Sequence, residues 1–546
     1  MSISDKYCRE TLNASGGLEK IEINCPDNFN FGYDVVDAIA DKTPDKTALV
    51  WCNVENEEHI FSFSDVKKYS NRIANVFTSA GLKRGDRVMV VLKRHYEYWF
   101  VAVALHKLGI TMIPATHMLT VADFLYRIKS ARVNAIVCTP QDGVPDKVLQ
   151  ALRMFEIPCK LWSVQKSIPG FRNLSEELRH VSDELPRVAT SVNDRMLLYF
   201  TSGTTGYPKG VIHDFSYPLA HVVTAKYWHQ AEDGGLHFTV AETGWAKASW
   251  GKIYGQWLIG SAVMVYDFDN FDPKQLISVI NRYGVTSFCA PPTVYRYIVR
   301  KGIPDMPTLK HATTAGEMLA PEISRKFTEK TGIQLYEGYG QTETTLLTAN
   351  FKGRSPVEGS IGTGSPLYNL ELRGKNGEKV SVGELGEIVI VPPKNGRQIG
   401  VFCEYLDNEE QYKHVWRGGV YHTGDSAYMD ENGMYWFHGR FDDIIKTGGF
   451  RVGPYEIENI LAEYPGVVEC SVIGVPDALR GQAIKAVIVL SKDYEPSKAL
   501  EKEIKDFCNS KLAEYKWIRI VEFVDEMPKT ISGKIRKVEL RGEVNK

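Results

Sequence analysis

Residues 262 to 290 admit few folds. Ala262 to Tyr266 is an apolar, strand-like run, and Asp272 then stands where a helix cap belongs, with Pro273 in the first turn. Leu276, Val279, Ile280 and Tyr283 fall on one helical stripe, Gly284 ends it, and a second strand-like run covers Val285 to Ala290. Strand, helix and strand at this spacing predict two parallel strands joined by a right-handed crossover, and hence a large α/β body.

Near the end a smaller pattern appears. Ile457, Ile460, Leu461 and Tyr464 form a helical stripe, followed by strands around Val467 to Ile473 and Ala486 to Leu490, a helix over about 497 to 513, and a strand from Ile518 to Val524. About 100 residues is domain size. The boundary is expected in the polar segment Gly439 to Asp443, dividing the chain into 1–441 and 442–546.

A chain of 546 residues, 43% apolar and 24% charged, can bury several cores. Its net charge of -2 supplies no field to attract a polyanion, so nucleic acid is not an expected partner. The start, Met1 to Glu19, has neither a signal-peptide nor a transit-peptide pattern, and no apolar run approaches the roughly 20 residues that cross a bilayer. Nine scattered cysteines without a CxxC pair suit a reducing cytoplasm.

The sharpest local signal is Tyr199-Phe-Thr-Ser-Gly-Thr-Thr-Gly-Tyr-Pro-Lys-Gly-Val211. A strand ends in Leu197 to Phe200; then Thr201, Ser202, Gly203, Thr204, Thr205 and Gly206 alternate hydroxyls with glycines ahead of Lys209. Glycine lets backbone N–H groups close on an anion, and the hydroxyls and the lysine add donors and charge, which is what a polyphosphate needs. A P-loop is disfavoured: Gly203 and Gly206 are two residues closer than GxxxxGK[ST] requires, and Pro208 stands where that loop has glycine.

Five ordered strings then resemble the acyl-adenylate-forming superfamily: TSGTTGYPKG (201–210), YEGYGQTE (336–343), YHTGD (421–425), GRFDDIIKTGGFRV (439–452) and PKTISGKIRK (528–537). ETGWAK (242–247), APPTVYR (290–296) and DALRGQ (477–482) look most like its medium-chain acyl-CoA synthetase branch. The resemblance implies an N-terminal body of two α/β sheet subdomains plus a distorted β-barrel, and a small mobile α+β C-terminal domain. It also implies an ATP-dependent acid–coenzyme A ligase using Mg2+, acting on a short- to medium-chain acid, branched or aromatic ones included, as monomer or homodimer.

Roles carried by the resemblance follow the motifs. Thr342 and Glu343 are catalytic, Glu343 as the magnesium carboxylate and Thr342 as a donor to the α-phosphate, and Lys534 is the adenylation lysine. Gly316 and Glu317 line the adenine, and Glu337, Gly338, Tyr339, Gly340 and Gln341 also belong to the ATP/AMP site. Asp425, expected in a turn, binds the ribose with Arg440, and Asp442 is the hinge. Coenzyme A is assigned to Gly448, Gly449, Phe450, Arg480, Tyr515, Lys516 and Trp517. The acyl pocket is assigned to Trp245, Lys247, Trp250, Cys289, Gly340 and Arg451. Gly340 is expected to leave that pocket open, Trp250 to cap its far end, and Lys247 to snorkel outward.

Two other classes fit the same motifs less well. One is an adenylating domain that loads a carrier, or a luciferase-type oxygenase; no carrier domain is expected after Lys546. The other is an inactive nucleotide-binding protein, against which intact Thr342, Glu343, Asp425 and Lys534 count.

Overall fold

The computed structural model describes residues 2–154, 158–201, 208–317, 319–394, 398–440, 443, 445–447, 450–477, 480–530 and 533–542. The strand–helix–strand unit forms as the spacing requires: strand Ala262–Asp267, helix Pro273–Tyr283, strand Ser287–Cys289. Asp272 caps the helix by accepting from the Lys274 N–H at 2.9 Å. Gly284 ends it with a φ of +68°, a left-handed turn that a side chain would strain.

That unit lies in a nine-stranded sheet. Its middle strands, Leu335–Gly340, His311–Thr314, Ser287–Cys289, Leu236–Thr239, Ala262–Asp267 and Thr47–Asn53, are neighbours in that order and all parallel. Their carboxyl ends therefore emerge along one edge, where ligands of open α/β sheets bind. An eight-stranded sheet accompanies it, with Arg87–Val91 at its centre and the Arg195–Thr201 and Lys209–Asp214 hairpin toward one side. The expected distorted barrel is, among the described residues, an open four-stranded antiparallel sheet: Asn369–Arg373, Gly386–Val391, Tyr421–Met429 and Tyr435–Arg440.

The C-terminal segment has its own apolar core of Ile445, Ile457, Leu461, Val472, Ile484, Ile488 and Ile504 under a five-stranded sheet. Its helix Pro454–Ala462 carries the stripe read from sequence. It meets the larger body closely at Gly453, where a β-carbon would lie 2.3 Å from the His438 carbonyl oxygen. No described helix is long and apolar enough to cross a membrane.

Candidate active site

Three strand ends converge. The parallel pairing of Thr314 with Glu337 sets Gly316 and Glu317, just past one strand, beside Gly338 to Gly340 at the end of the next. The chain then turns back through Leu346–Ala349, leaving Gln341 to Glu343 in the connection. Lys209 opens its strand opposite Thr201. Ser202, Gly203, Thr204, Thr205 and Gly206 lie outside the described residues, as do Asp442, Gly448 and Gly449; Arg451 is described by its strand pairing with Lys446 alone.

Asp425 is the most heavily held carboxylate here. It lies within the strand Tyr421–Met429, not in the turn expected, and Gly424, at φ +73°, supplies the local twist that suggested one. Its Oδ2 accepts from the Tyr339 hydroxyl and the Gln341 amide, both at 2.5 Å, and Arg440, directly opposite on the next strand, stands 3.6 Å from Oδ1. Burial raises its pKa against the opposing pull of Arg440, of both hydrogen bonds and of the Lys534 charge. Gln341 is thus spent on protein: it also donates to the Thr423 carbonyl at 2.8 Å and accepts from Tyr421 at 2.9 Å.

The Thr342–Glu343 segment is pinned from several sides. His213 Nε2 donates to the Thr342 carbonyl at 2.7 Å, and burial pushes that imidazole down to about 4, so it acts as a neutral donor. Phe402 N–H donates to the Glu343 carbonyl at 2.7 Å, and the Tyr405 hydroxyl to Glu343 Oε1 at 2.8 Å. Lys209 Nζ lies 5.5 Å over the Tyr405 ring; burial lowers its pKa, and the Glu343 charge opposes that. Tyr405 takes Oε1, and a carboxylate oxygen is the ligand type that suits a hard cation such as magnesium. His213, Tyr405 and Tyr421 carry no local signal in sequence, because each matters only through a distant partner.

Lys534 is exposed in a loop closed by hydrogen bonds between Thr530 and the Lys534 backbone. Its charge acts on both Asp425 and Lys247, lowering the pKa of each. Glu337 is buried, and burial pushes its carboxyl up to about 8. Glu317 is exposed and accepts from Thr293 at 2.6 Å.

Of the residues assigned to the acyl pocket, Trp250 meets Gly340 and Lys247 meets Ala315 and Gly316, and both differ from the expectation. Lys247 does not snorkel outward: its ammonium donates to the Ala315 carbonyl, beside Gly316. Burial lowers its pKa, opposed by Cys289 and Glu317. Nor is the space at Gly340 open. The Trp250 indole, 7% exposed, stands directly against it, beside Gly340 rather than at a distance from it. Trp245 is set by Gly244, which approaches Thr116 so closely that a β-carbon would lie 2.4 Å from its nitrogen, and by Glu242, which accepts from Thr116 Oγ1 at 2.6 Å. Cys289 ends its strand, buried.

Of the residues assigned to coenzyme A, Phe450 and Tyr515 stack with centroids 4.5 Å apart and both stay exposed. Lys516 pairs with Glu456, Trp517 donates to the Leu512 carbonyl, and the Arg480 N–H donates to Asp477.

Comparison with known proteins agrees across the chain. A family model for AMP-binding enzymes matches residues 36–399, and one for the AMP-binding enzyme C-terminal domain matches 456–534. The mitochondrial acyl-coenzyme A synthetase ACSM3 of Homo sapiens is 38% identical over 534 residues, covering 96% of this chain and 91% of its own. The mitochondrial acyl-coenzyme A synthetase ACSM4 of Mus musculus is 37% identical, covering 98% and 93%. Among solved structures, the anthranilate CoA ligase AuaEII in complex with anthranoyl-AMP superposes with a TM-score of 0.85 at 26% identity, covering 95% and 98% of the two chains. A benzoate CoA ligase from Burkholderia xenovorans gives 0.80 at 25%, covering 94% and 100%.

Proposed function

This chain belongs to the AMP-binding enzyme family, and from that premise we propose how its cleft works and which acids it takes. It is an AMP-forming acid–coenzyme A ligase. A carboxylate is a poor electrophile, so one of its oxygens first attacks the α-phosphorus of ATP and pyrophosphate leaves. The coenzyme A sulfur then attacks the acyl carbon and AMP leaves.

Asp425 accepts from the ribose hydroxyls, and its grip by Tyr339 and Gln341 is the observation that best supports this reading. One short segment then orients the ribose carboxylate through residues 339 and 341 and presents Thr342 and Glu343 to the phosphates. Thr342 donates to the α-phosphate, and Lys209, with the loop before it, meets the outer phosphates. Glu343 would hold magnesium, which would supply positive charge against the phosphates. Lys534 meets the charge that develops as the α–β bond breaks; positioned donors of this kind lower the barrier without reorganising.

For the second step the C-terminal unit, taken as 442–546, turns about Asp442 and presents Gly448 and Gly449 to the thiol arm. The exposed Phe450–Tyr515 stack supports a place for the coenzyme A base, and Arg480, Lys516 and Trp517 are assigned to the same nucleotide. Trp250 against Gly340 and the Lys247 ammonium beside Gly316 favour short- to medium-chain, branched or aromatic acids over long chains, since a charged amine is costly beside a buried alkyl tail. A reducing cytoplasm is the proposed compartment, although the curated relatives named above are mitochondrial.

The test is pyrophosphate release across fatty, branched and aromatic acids, with and without coenzyme A. Acid-dependent release that coenzyme A accelerates is expected. Release indifferent to the acid would overturn the reading.

A further inference from the structure

Tyr405 lies in none of the five motifs, yet it touches the Glu343 carboxylate and neighbours Lys209. Its strand, Glu404–Tyr405, pairs with Val211 and Ile212, two and three residues beyond Lys209, so the backbone sets the phenol beside that lysine. The ring is 4% exposed and packs against Phe402 with centroids 4.6 Å apart. The Glu343 backbone is equally constrained, because its carbonyl accepts from the Phe402 N–H. With both residues tied at the backbone, the Tyr405 hydroxyl donates to Glu343 Oε1 at 2.8 Å.

We propose that Tyr405 is a positioning residue that decides how Glu343 grips its divalent cation: through Oε2 alone, with Oε1 held by the phenol. The proposal rests on Glu343 being the magnesium carboxylate. A carboxylate chelates through both oxygens only when both are free to approach the ion equally, and a donor fixed on one of them disfavours that. One-oxygen ligation suits Mg2+, which demands a small octahedral shell and keeps waters and phosphate oxygens in it; two-oxygen ligation suits the larger, more flexible shell of Ca2+. Tyr405 therefore acts on metal choice as well as on metal affinity. Outer hydrogen-bond partners of metal ligands are commonly worth 10–100-fold in affinity.

The experiment is calorimetric binding of α,β-methylene-ATP, which cannot be cleaved at the reacting bond, to the full chain in EDTA, in Mg2+ and in Ca2+. In Tyr405→Phe the gain in affinity that Mg2+ confers should fall about 10-fold, the gain from Ca2+ should fall much less, and the affinity in EDTA should not change. The double variant Tyr405→Phe with Glu343→Gln should behave as Glu343→Gln alone, because the phenol then has no carboxylate to orient. Equal losses in all three conditions would mark a merely structural role and overturn the inference. A Mg2+ gain that survives intact in Tyr405→Phe overturns it alone, whereas a wild type with no Mg2+ gain overturns the reading of Glu343 as well.

Discussion

Gly340 and Trp250 share one volume: a β-carbon built on Gly340 would lie 2.5 Å from Cη2 of the indole and equally close to the Thr345 carbonyl oxygen. The indole could shift, but the carbonyl belongs to the backbone and cannot give cheaply. Gly340→Ala should therefore destabilise the protein by roughly 1–3 kcal/mol through overpacking. Denaturant unfolding checks it, and a stability equal to wild type would mean the turn adapts. Gly340→Trp adds far more volume at the same point and should destabilise the protein further.

Removing the indole should lengthen the preferred acid. Trp250→Ala vacates space in front of Gly340 next to Tyr217, His221 and Trp228. A buried methylene gains about 0.8 kcal/mol in an apolar setting, and the Tyr217 phenol and His221 imidazole here will reduce that gain. The kcat/KM profile over straight-chain acids of two to twelve carbons should shift upward by two or three carbons, with acetate still poor. An unchanged profile would remove Trp250 from the pocket.

Lys534 should matter to one half-reaction. Lys534→Ala is expected to abolish adenylate formation while transfer from a preformed acyl-adenylate to coenzyme A stays near wild type. Comparable rates of adenylate formation in the two proteins would show the role to be misassigned.

Gln341 binds protein rather than solvent, and losing it should loosen Asp425. A hydrogen bond to a charged group contributes about 1.5–3 kcal/mol, so Gln341→Ala should raise the KM for ATP about 10- to 100-fold while leaving the acid profile unchanged. An altered acid preference with normal ATP binding would contradict this geometry.

Glu337 sets a pH dependence of stability. Its carboxyl, pushed up to about 8 by burial, keeps its proton in the folded chain after the unfolded chain has released it. Stability should thus fall as pH rises from the ordinary carboxylate range toward about 8 and level off above. Glu337→Gln carries no such proton, so its Tm without nucleotide should gain on wild type between pH 5 and pH 8. Parallel Tm curves would place the titration elsewhere.

What the sequence determined by itself is what short-range chemistry encodes. The Asp272–Pro273 start and Gly284 end of one helix, the stripe Ile457–Ile460–Leu461, and the ordered motifs around Lys209, Glu343, Asp425 and Lys534 are all legible there, because caps, periodicity and spacing act within a few residues. Tertiary structure alone decided which partners meet across long separations. Tyr405 on Glu343 and His213 on Thr342 span 62 and 129 residues, and nothing local distinguishes those side chains from core ones. The same holds for the acyl pocket: glycine at 340 reads as open space until the fold sets the Trp250 indole against it, and Lys247 reads as a surface charge until the Ala315 carbonyl is found waiting at the end of a neighbouring strand. Pocket shape is a property of volumes brought together by the sheets, and no stretch of sequence carries it.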